Sequence, residues 1–369
     1  MTTEEAPDLS HNTVGYVGTE PVGEALETLP VYARTDEVRL ALCIAIAGWR
    51  MQSSITLRCA NSSRWMDPAV ARLASYILAY PPTVGHLAIK IDAVHDPLAP
   101  KRQVTQRTVT LTSGGIDSTA ALLEALAQGS DVLAHWIDYG HRYAAAELAA
   151  VEKITATLGV QLECSRVDLG REIAAGELQY AHIVPARNVL LAAIAAARTS
   201  AGQVVVAGLA DEAKVPDKSP RFYAEGSRLI GATVSSPFLD MNKTEVLVRW
   251  RRRWSNILHP AVTVTCYEAS GRCGRCRVCT KRAVAFAAAG WGDDPGFRTD
   301  PFADPAGIIV NDWLARWHTF GASRRADLLL AFRHAHDRLP AGVARFTEKA
   351  WRAEAAIVKQ RLRSLESQA

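Results

Sequence analysis

Three clusters of residues in this 369-residue chain have the types and spacing to do chemistry. The first is Ser113-Gly114-Gly115-Ile116-Asp117-Ser118-Thr119, which follows the β-branched run Val109-Thr110-Leu111 and precedes an Ala/Leu-rich stretch at 120–128. That order reads as strand, tight glycine turn, helix N-terminus. Such a turn aims several backbone N–H groups at one point, where the helix dipole adds roughly half a positive charge. The glycines let the backbone approach an anion closely, and the three hydroxyls of Ser113, Ser118 and Thr119 add donors. Asp117 has a place in an anion nest when a cation such as Mg²⁺ bridges it to the ligand. The segment carries neither the Gly-Lys-Ser/Thr of the Walker loop nor the GxGxxG of a dinucleotide fold. The plain alternative is an ordinary strand-to-helix turn with an Asp near the N-cap.

The second cluster is Cys266, Cys273, Cys276 and Cys279, with the spacing C-x6-C-x2-C-x2-C. Four thiolates this close can surround one Zn²⁺ tetrahedrally, and a closed shell of four thiolates leaves no open position, which makes the site structural. Arg272, Arg275, Arg277 and Lys281 would offset its negative charge. An iron–sulfur cluster is the other reading. The remaining cysteines, 43, 59 and 164, sit in apolar or strand-like contexts where a buried thiol is the default. The third cluster is Lys243 in Ser236-Pro-Phe-Leu-Asp-Met-Asn-Lys243-Thr-Glu245. A lysine at a helix start opposes the dipole, so it is expected to face an anionic ligand, a solvated lysine being the alternative. Arg249-Trp-Arg-Arg-Arg-Trp254 reads as a charged helix face in preference to a nucleic-acid patch.

The elements that must position these residues alternate. Strands are predicted at 109–111, 132–138, 161–167 and 203–208. Helices are predicted at 120–128, 144–158, 189–199 and 222–232. Apolar strands alternating with helices imply βαβ units and a mostly parallel, doubly wound sheet, an α/β fold. Ligands of such sheets sit outside the carboxyl ends of the strands, where the glycine loop, Asp138–Arg142 and 208–211 all fall. Upstream, 38–46 and 87–94 alternate like half-buried strands, and 67–80 has helical spacing after Asp-Pro. Residues 1–12 read as a disordered tail and 96–103 as a linker. Amphipathic helices are predicted at 313–317, 326–336 and 343–365. Four segments follow: an N-terminal α+β domain of unassigned role (1–103), the loop-bearing domain (104–262), the four-cysteine zinc module (263–290) and a helical C-terminal extension (291–369).

Composition sets the class. Hydrophobic residues make up 49% of the chain, which describes a globular protein with a sizeable core. The net charge of +4, from 42 basic and 38 acidic side chains, is too mild to point to nucleic acid. The start is acidic and polar, unlike a secretory signal, and the longest apolar runs are too short to span a bilayer. A soluble, cytoplasmic protein with no membrane partner is expected.

The stretch from about 109 to 290 resembles the 7-cyano-7-deazaguanine synthase family of deazapurine (queuosine) biosynthesis, within the ATP pyrophosphatase (PP-loop) superfamily. The resemblance rests on Ser113–Thr119, Asp138-Tyr-Gly-His-Arg142 with Glu147, Val184-Pro-Ala-Arg-Asn188, and Pro216-Asp217 with Phe222. Lys243 and Cys266-Tyr267 through Cys279, with Lys281, Arg282 and Phe286, complete it. The first motif marks only the superfamily; the Pro-x-Arg-Asn and cysteine elements in this order are more specific. The resemblance implies an adenine nucleotide alpha hydrolase-like fold. It also implies an ATP-dependent C–N ligase that adenylates a 7-carboxy-7-deazaguanine, releases pyrophosphate, and admits ammonia to give the amide or nitrile. ATP, Mg²⁺ and a structural Zn²⁺ are the implied cofactors.

By the same resemblance Asp117 and Lys243 are catalytic. Ser113, Gly114, Gly115, Asp117, Ser118, Thr119, Asp138 and Arg142 hold the nucleotide and its metal. Arg187, Asn188, Asp211, Asp217 and Phe222 lie near the substrate. The family element Tyr-Gly-Gln-Arg-His reads here Tyr139-Gly-His141-Arg142-Tyr143. Tyr-Pro-Asp-Cys-Arg reads Val215-Pro216-Asp217-Lys218-Ser219, so Lys218 or Arg221 would stand in for the arginine. One other acceptor fits the same activation: an amine on a partner protein docked on the terminal extensions. A thiolation-type tRNA-modifying enzyme, a degenerate nucleotide-binding protein and a homodimeric assembly are the further readings left open.

Overall fold

A computed structural model describes residues 14–17, 20–21, 35–50, 54–59, 68–78, 88–93, 104–129, 131–167, 169, 186–269 and 271–367. The expected tail at 1–12 and linker at 96–103 lie outside these residues. The chain divides into two compact units. One comprises 1–111, 124–141 and 161–239, and the other 112–123, 142–160 and 240–369.

The first unit opens with β1 (Val14–Val17), β2 (Glu20–Pro21), α1 (Asp36–Arg50), β3 (Ser54–Cys59), α2 (Pro68–Leu78) and β4 (Ala88–Ala93). Its four strands run in the order β2-β1-β3-β4, with β3 and β4 parallel and β1 antiparallel to both β2 and β3. Helix α2 and strand β4 fall where the sequence places them. Residues 38–46 do not: they form the middle of α1 and not a strand. Every residue from Leu40 to Ile46 is fully buried. A helix apolar on all faces carries no periodicity, so a run like this is ambiguous and its length and alanine content decide.

The same unit holds a fully parallel sheet of β5 (Thr105–Leu111), β6 (Val132–Asp138), β7 (Leu162–Arg166), β8 (Ala201–Val205) and β9 (Thr233–Ser235). Its order, β7-β6-β5-β8-β9, reverses direction between β5 and β8. That is a doubly wound sheet with its topological switch point at β5, the strand that runs directly into the glycine loop. Strand β6 is buried along its interior, as a parallel strand covered on both faces must be. Helix α5 (Arg187–Thr199) presents Val189, Leu190 and a series of alanines to the core, where α1 packs against it. The expected helix at 222–232 is two short helices meeting at Gly226, α6 (Pro220–Glu225) and α7 (Ser227–Ile230). Of the scattered cysteines, Cys43 is buried as expected, whereas Cys164 on β7 is exposed.

The second unit contains the glycine loop with the start of α3 (Ile116–Ala127), then α4 (Ala144–Leu158), α8 (Lys243–Arg253) and α9 (Arg277–Ala288). It ends in α10 (Ala322–His334), α11 (Ala341–Ala353) and α12 (Ala355–Ser367). The expected single helix at 343–365 breaks at Glu354. That carboxylate accepts bonds from Arg325 at 2.8 Å and from the Trp317 indole at 3.0 Å. At 313–317 the chain instead forms a π-turn, Ile309–Trp313, followed by a 3-10 turn. In α8 the basic run is a helix face, but its aromatics are not on the surface. Trp250 and Trp254 are buried, and the Trp250 indole donates to the Leu258 carbonyl at 2.7 Å.

Candidate nucleotide site and metal centre

The glycine loop is braced from within. The Ser113 N–H donates to Ser118 Oγ at 3.2 Å, and Ser118 Oγ in turn donates to the Gly115 carbonyl at 3.3 Å. The Gly114 carbonyl accepts the Val264 N–H at 2.7 Å. Gly114 adopts φ +70°, and a Cβ there would come within 2.9 Å of the Ala150 side chain on α4. Both facts require glycine, because a left-handed backbone and a close approach exclude a side chain at once. Among the described residues no acceptor takes the N–H groups of Gly114 and Gly115.

The Lys243 ammonium contacts Asp117 Oδ2 of this loop directly, across 126 residues of sequence. The other Asp117 oxygen, Oδ1, and the Thr119 hydroxyl are buried with no hydrogen-bond partner among the described residues. Orphaned acceptors beside a lysine and free backbone donors are the donor and acceptor set that a phosphate chain with a bridging Mg²⁺ requires, so the residues fit those groups.

The helix carrying Lys243 is held at its first turn. Asn242 and Glu245 form a capping box, with the Glu245 N–H donating to Asn242 Oδ1 at 3.1 Å and the Asn242 N–H to Glu245 Oε2 at 2.7 Å. The second Glu245 oxygen pairs with Arg361 of α12 at 2.5 Å, and Arg361 also forks onto Asp327 of α10 at 2.7 and 3.0 Å. Burial raises the Asp327 carboxyl, and the arginine opposes that shift.

Cys266, Cys273, Cys276 and Cys279 converge, their sulfurs all within 4.8 Å of one another. A Zn–S bond of about 2.3 Å puts tetrahedral sulfurs roughly 3.8 Å apart, and Cys273 and Cys279 stand at 3.9 Å. Backbone N–H groups of Glu268 and Cys273 point at Cys266 Sγ, and those of Arg275 and Cys276 at Cys273 Sγ, at 3.3–3.4 Å. Hydrogen bonds from Cys276 and Cys279 hold the Cys266 thiol below its ordinary value, while Cys276 is pushed up to about 11. Four sulfurs so placed cannot all ionise without a cation, and they fit one zinc ion. The neighbouring cations are not free to neutralise them. Arg275 and Arg277 pair with Asp304 and Asp312. Arg272 and the buried Arg282 share Asp294, with Arg282 Nε at 2.6 Å.

In the first unit Asp138 closes a turn, accepting the Gly140 N–H at 2.9 Å. Arg187 donates to the Tyr139 hydroxyl at 3.2 Å, and Tyr139 stacks on His141 with centroids 4.0 Å apart. Asn188 and Asp217 hold each other: the Asn188 N–H donates to Asp217 Oδ2 at 2.9 Å and its amide to the Asp217 carbonyl at 3.3 Å. Burial pushes the Asp217 carboxyl up, opposed by the Asn188 bond and by Lys218 and Arg187. Asp211 is exposed, and Phe222 is fully buried in the core. Neither arginine stand-in is free: Lys218 pairs with Glu212 at 2.8 Å, and Arg221 lies over Tyr76. Arg142 belongs to the second unit, where its Nε donates to the Tyr267 carbonyl at 2.6 Å. Sequence reasoning singled out neither Arg361 nor Thr265, whose hydroxyl lies against the loop. Only its position beside Cys266 flags Thr265, and nothing local flags Arg361.

The parallel sheet, the glycine loop at its switch strand, the four-cysteine centre and the helical C-terminal region together define a PP-loop α/β protein. Residues 107–290 match the family described as queuosine biosynthesis protein QueC. The chain is 32% identical over 217 residues to a 7-cyano-7-deazaguanine synthase of Methanothrix thermoacetophila, covering 50% of this chain and 95% of that protein. It is also 32% identical to one from Cupriavidus taiwanensis over 224 residues, 51% of this chain and 95% of that one. A third, from Thiobacillus denitrificans, is 32% identical over 217 residues with 50% and 95% coverage. The chain belongs to the QueC family of queuosine biosynthesis proteins, and the match leaves its N- and C-terminal regions uncovered. No helix of the described residues is long and apolar enough to cross a membrane.

Proposed function

We propose that this protein is an ATP-dependent C–N ligase that adenylates the carboxylate of a 7-carboxy-7-deazaguanine-like substrate, releases pyrophosphate, and admits ammonia to the activated carbon. The contact of Lys243 with Asp117 beside a glycine loop with free N–H groups carries the reading. A carboxylate is a poor electrophile, and adenylation turns one of its oxygens into a leaving group. The loop N–H groups, Ser113 and Lys243 then stabilise charge on the departing pyrophosphate, with Ser118 bracing the loop from within. Asp117 would hold Mg²⁺, which when bound screens the phosphate charges. Asp138 and Arg142 are assigned to the nucleotide. Arg187, Asn188, Asp211 and Asp217 are assigned to the substrate region, and Phe222 shapes it only from within the core. Orientation of bound ammonia supplies much of the rate of the second step. A structural zinc in the four-cysteine centre is supported over a cluster, because sulfurs bonded to different irons stand further apart than sulfurs sharing one ion. The protein is assigned to the cytoplasm.

The test is mass spectrometry of products after mixing the protein with ATP, Mg²⁺, ammonium and 7-carboxy-7-deazaguanine. AMP with the amide or nitrile is expected. AMP with only an adenylated or hydrolysed substrate would replace ammonia by another acceptor, such as a partner amine. Absence of AMP would overturn the substrate.

A further inference from the structure

The strand of chain between the 3-10 turn Pro260–Val262 and Cys266 is anchored at every residue. The Thr263 hydroxyl accepts from Arg282 at 2.6 Å and donates to the Pro260 carbonyl at 2.6 Å, and its own carbonyl takes Arg272 at 2.9 Å. The Val264 N–H holds the Gly114 carbonyl at 2.7 Å. Cys279 Sγ lies 3.4 Å from the Thr265 carbonyl, and Cys266, the next residue, opens the four-cysteine centre. One group in this strand is unused. Thr265 Oγ1 is buried and has no hydrogen-bond partner among the described residues. A methyl group on Gly115 would sit 3.7 Å from it, so the hydroxyl lies against the glycine loop.

A threonine hydroxyl normally satisfies itself on a nearby carbonyl or on water, and a buried one left unpaired calls for a reason. The reason lies beside it. The N–H groups of Gly114 and Gly115 lack acceptors, and the Thr119 hydroxyl and Asp117 Oδ1 also lack partners among the described residues. Unpaired donors on one glycine loop, beside a carboxylate able to hold a bridging cation, suit an anionic ligand. We propose that Thr265 Oγ1 donates a hydrogen bond to a phosphate oxygen held by the glycine loop, and that the four-cysteine centre is the mount that positions it. This rests on the reading that the loop takes ATP. It gives the metal centre a role in the site without any open coordination position. A metal held by Cys266 would fix the residue that follows Thr265, and the Val264 N–H ties the residue before it to the glycine loop.

The experiment titrates the full zinc-loaded chain with α,β-methylene ATP and Mg²⁺ by calorimetry, for wild type, Thr265→Val and Thr265→Ser, with zinc content and melting temperature measured alongside. Thr265→Val is expected to weaken binding at least tenfold with one zinc per chain and an unchanged melting temperature. Thr265→Ser, which keeps the hydroxyl, is expected to bind within about threefold of wild type. Equal binding by wild type and Thr265→Val would overturn the proposal while leaving the nucleotide reading intact. Loss of zinc together with binding in Thr265→Val would reduce Thr265 to a structural role and overturn it as well. A wild-type chain that binds no analogue would remove the nucleotide reading and the proposal with it.

Discussion

At the scale of single residues, the proposed site centres on Asp117, whose carboxylate contacts Lys243 at the glycine loop. Asp117→Ala should lower pyrophosphate release at least a hundredfold, the size of effect seen when a preorganised transition-state group is lost, with the folded circular-dichroism spectrum retained. A wild-type rate from that variant would place the chemistry elsewhere. His135 on β6 makes a different kind of prediction. It is fully buried, bonds Ser165 at 2.8 Å, and burial, with Arg198 adding to it, lowers its value to about 3. The folded value lies below the unfolded one, about 6.5. As pH falls, the unfolded chain therefore takes up the proton first. Stability is full above about pH 6.5 and declines below it, by up to about 1.4 kcal/mol per pH unit, until the folded value is reached. Thermal melts from pH 7.5 to 5 should show this slope, and His135→Gln should flatten it. The chemistry-bearing residues are legible in sequence because loops of Ser, Gly and Asp and close cysteines carry their signal locally. Thr265 is not, since a hydroxyl's lack of partners exists only in three dimensions.

Elements decide how firmly that chemistry is held. Arg361 lies outside the 107–290 family match, yet it pairs with Glu245, the capping residue of the helix that begins with Lys243. Removing one partner of a buried ion pair strands the others, at a cost of about 3–5 kcal/mol. Arg361→Met should therefore lower the melting temperature by several degrees, and lower pyrophosphate release as well. A variant that melts like wild type would show that α12 does not hold α8. Gly114→Ala should be worse than an ordinary loop substitution, because it meets both a left-handed backbone and the Ala150 side chain 2.9 Å away. We expect loss of nucleotide binding, checked by calorimetry against the folded circular-dichroism spectrum. Helix boundaries show where sequence falls short. Lys243 opens its helix as the Asn-Lys-Thr-Glu pattern indicates, since a capping box is local. The break falls at Glu354, whose carboxylate takes Arg325 from 29 residues away, a pairing that no local pattern announces. The core of the helix at 36–50 looks like a strand in sequence because a run buried on all sides has no polar face to reveal its period.

For the molecule as a whole, the four-cysteine centre is the component whose removal should be felt most widely. With a metal bound, its four sulfurs would leave no open ligand position, which suits a structural role. Metal analysis should find one zinc per chain, and a strong chelator should lower the melting temperature and release the metal in step with the loss of nucleotide binding. Persistence of both after complete metal removal would deny the centre a structural role. The amino-acid sequence alone carries the chemistry available: a phosphate loop after a strand, four cysteines at metal-binding spacing, a lysine at a helix start, and an alternation of strands and helices that permits a parallel sheet. These are encoded in residue type and short spacing, which survive without a fold. The tertiary arrangement selects which of them act together. It brings Lys243 to Asp117 and leaves Asp117 Oδ1 and the Thr265 hydroxyl unpaired among the described residues. It also commits Lys218 to Glu212 and makes Phe222 core. Partnership and burial belong to neighbours that are distant in sequence, and only folding chooses those neighbours.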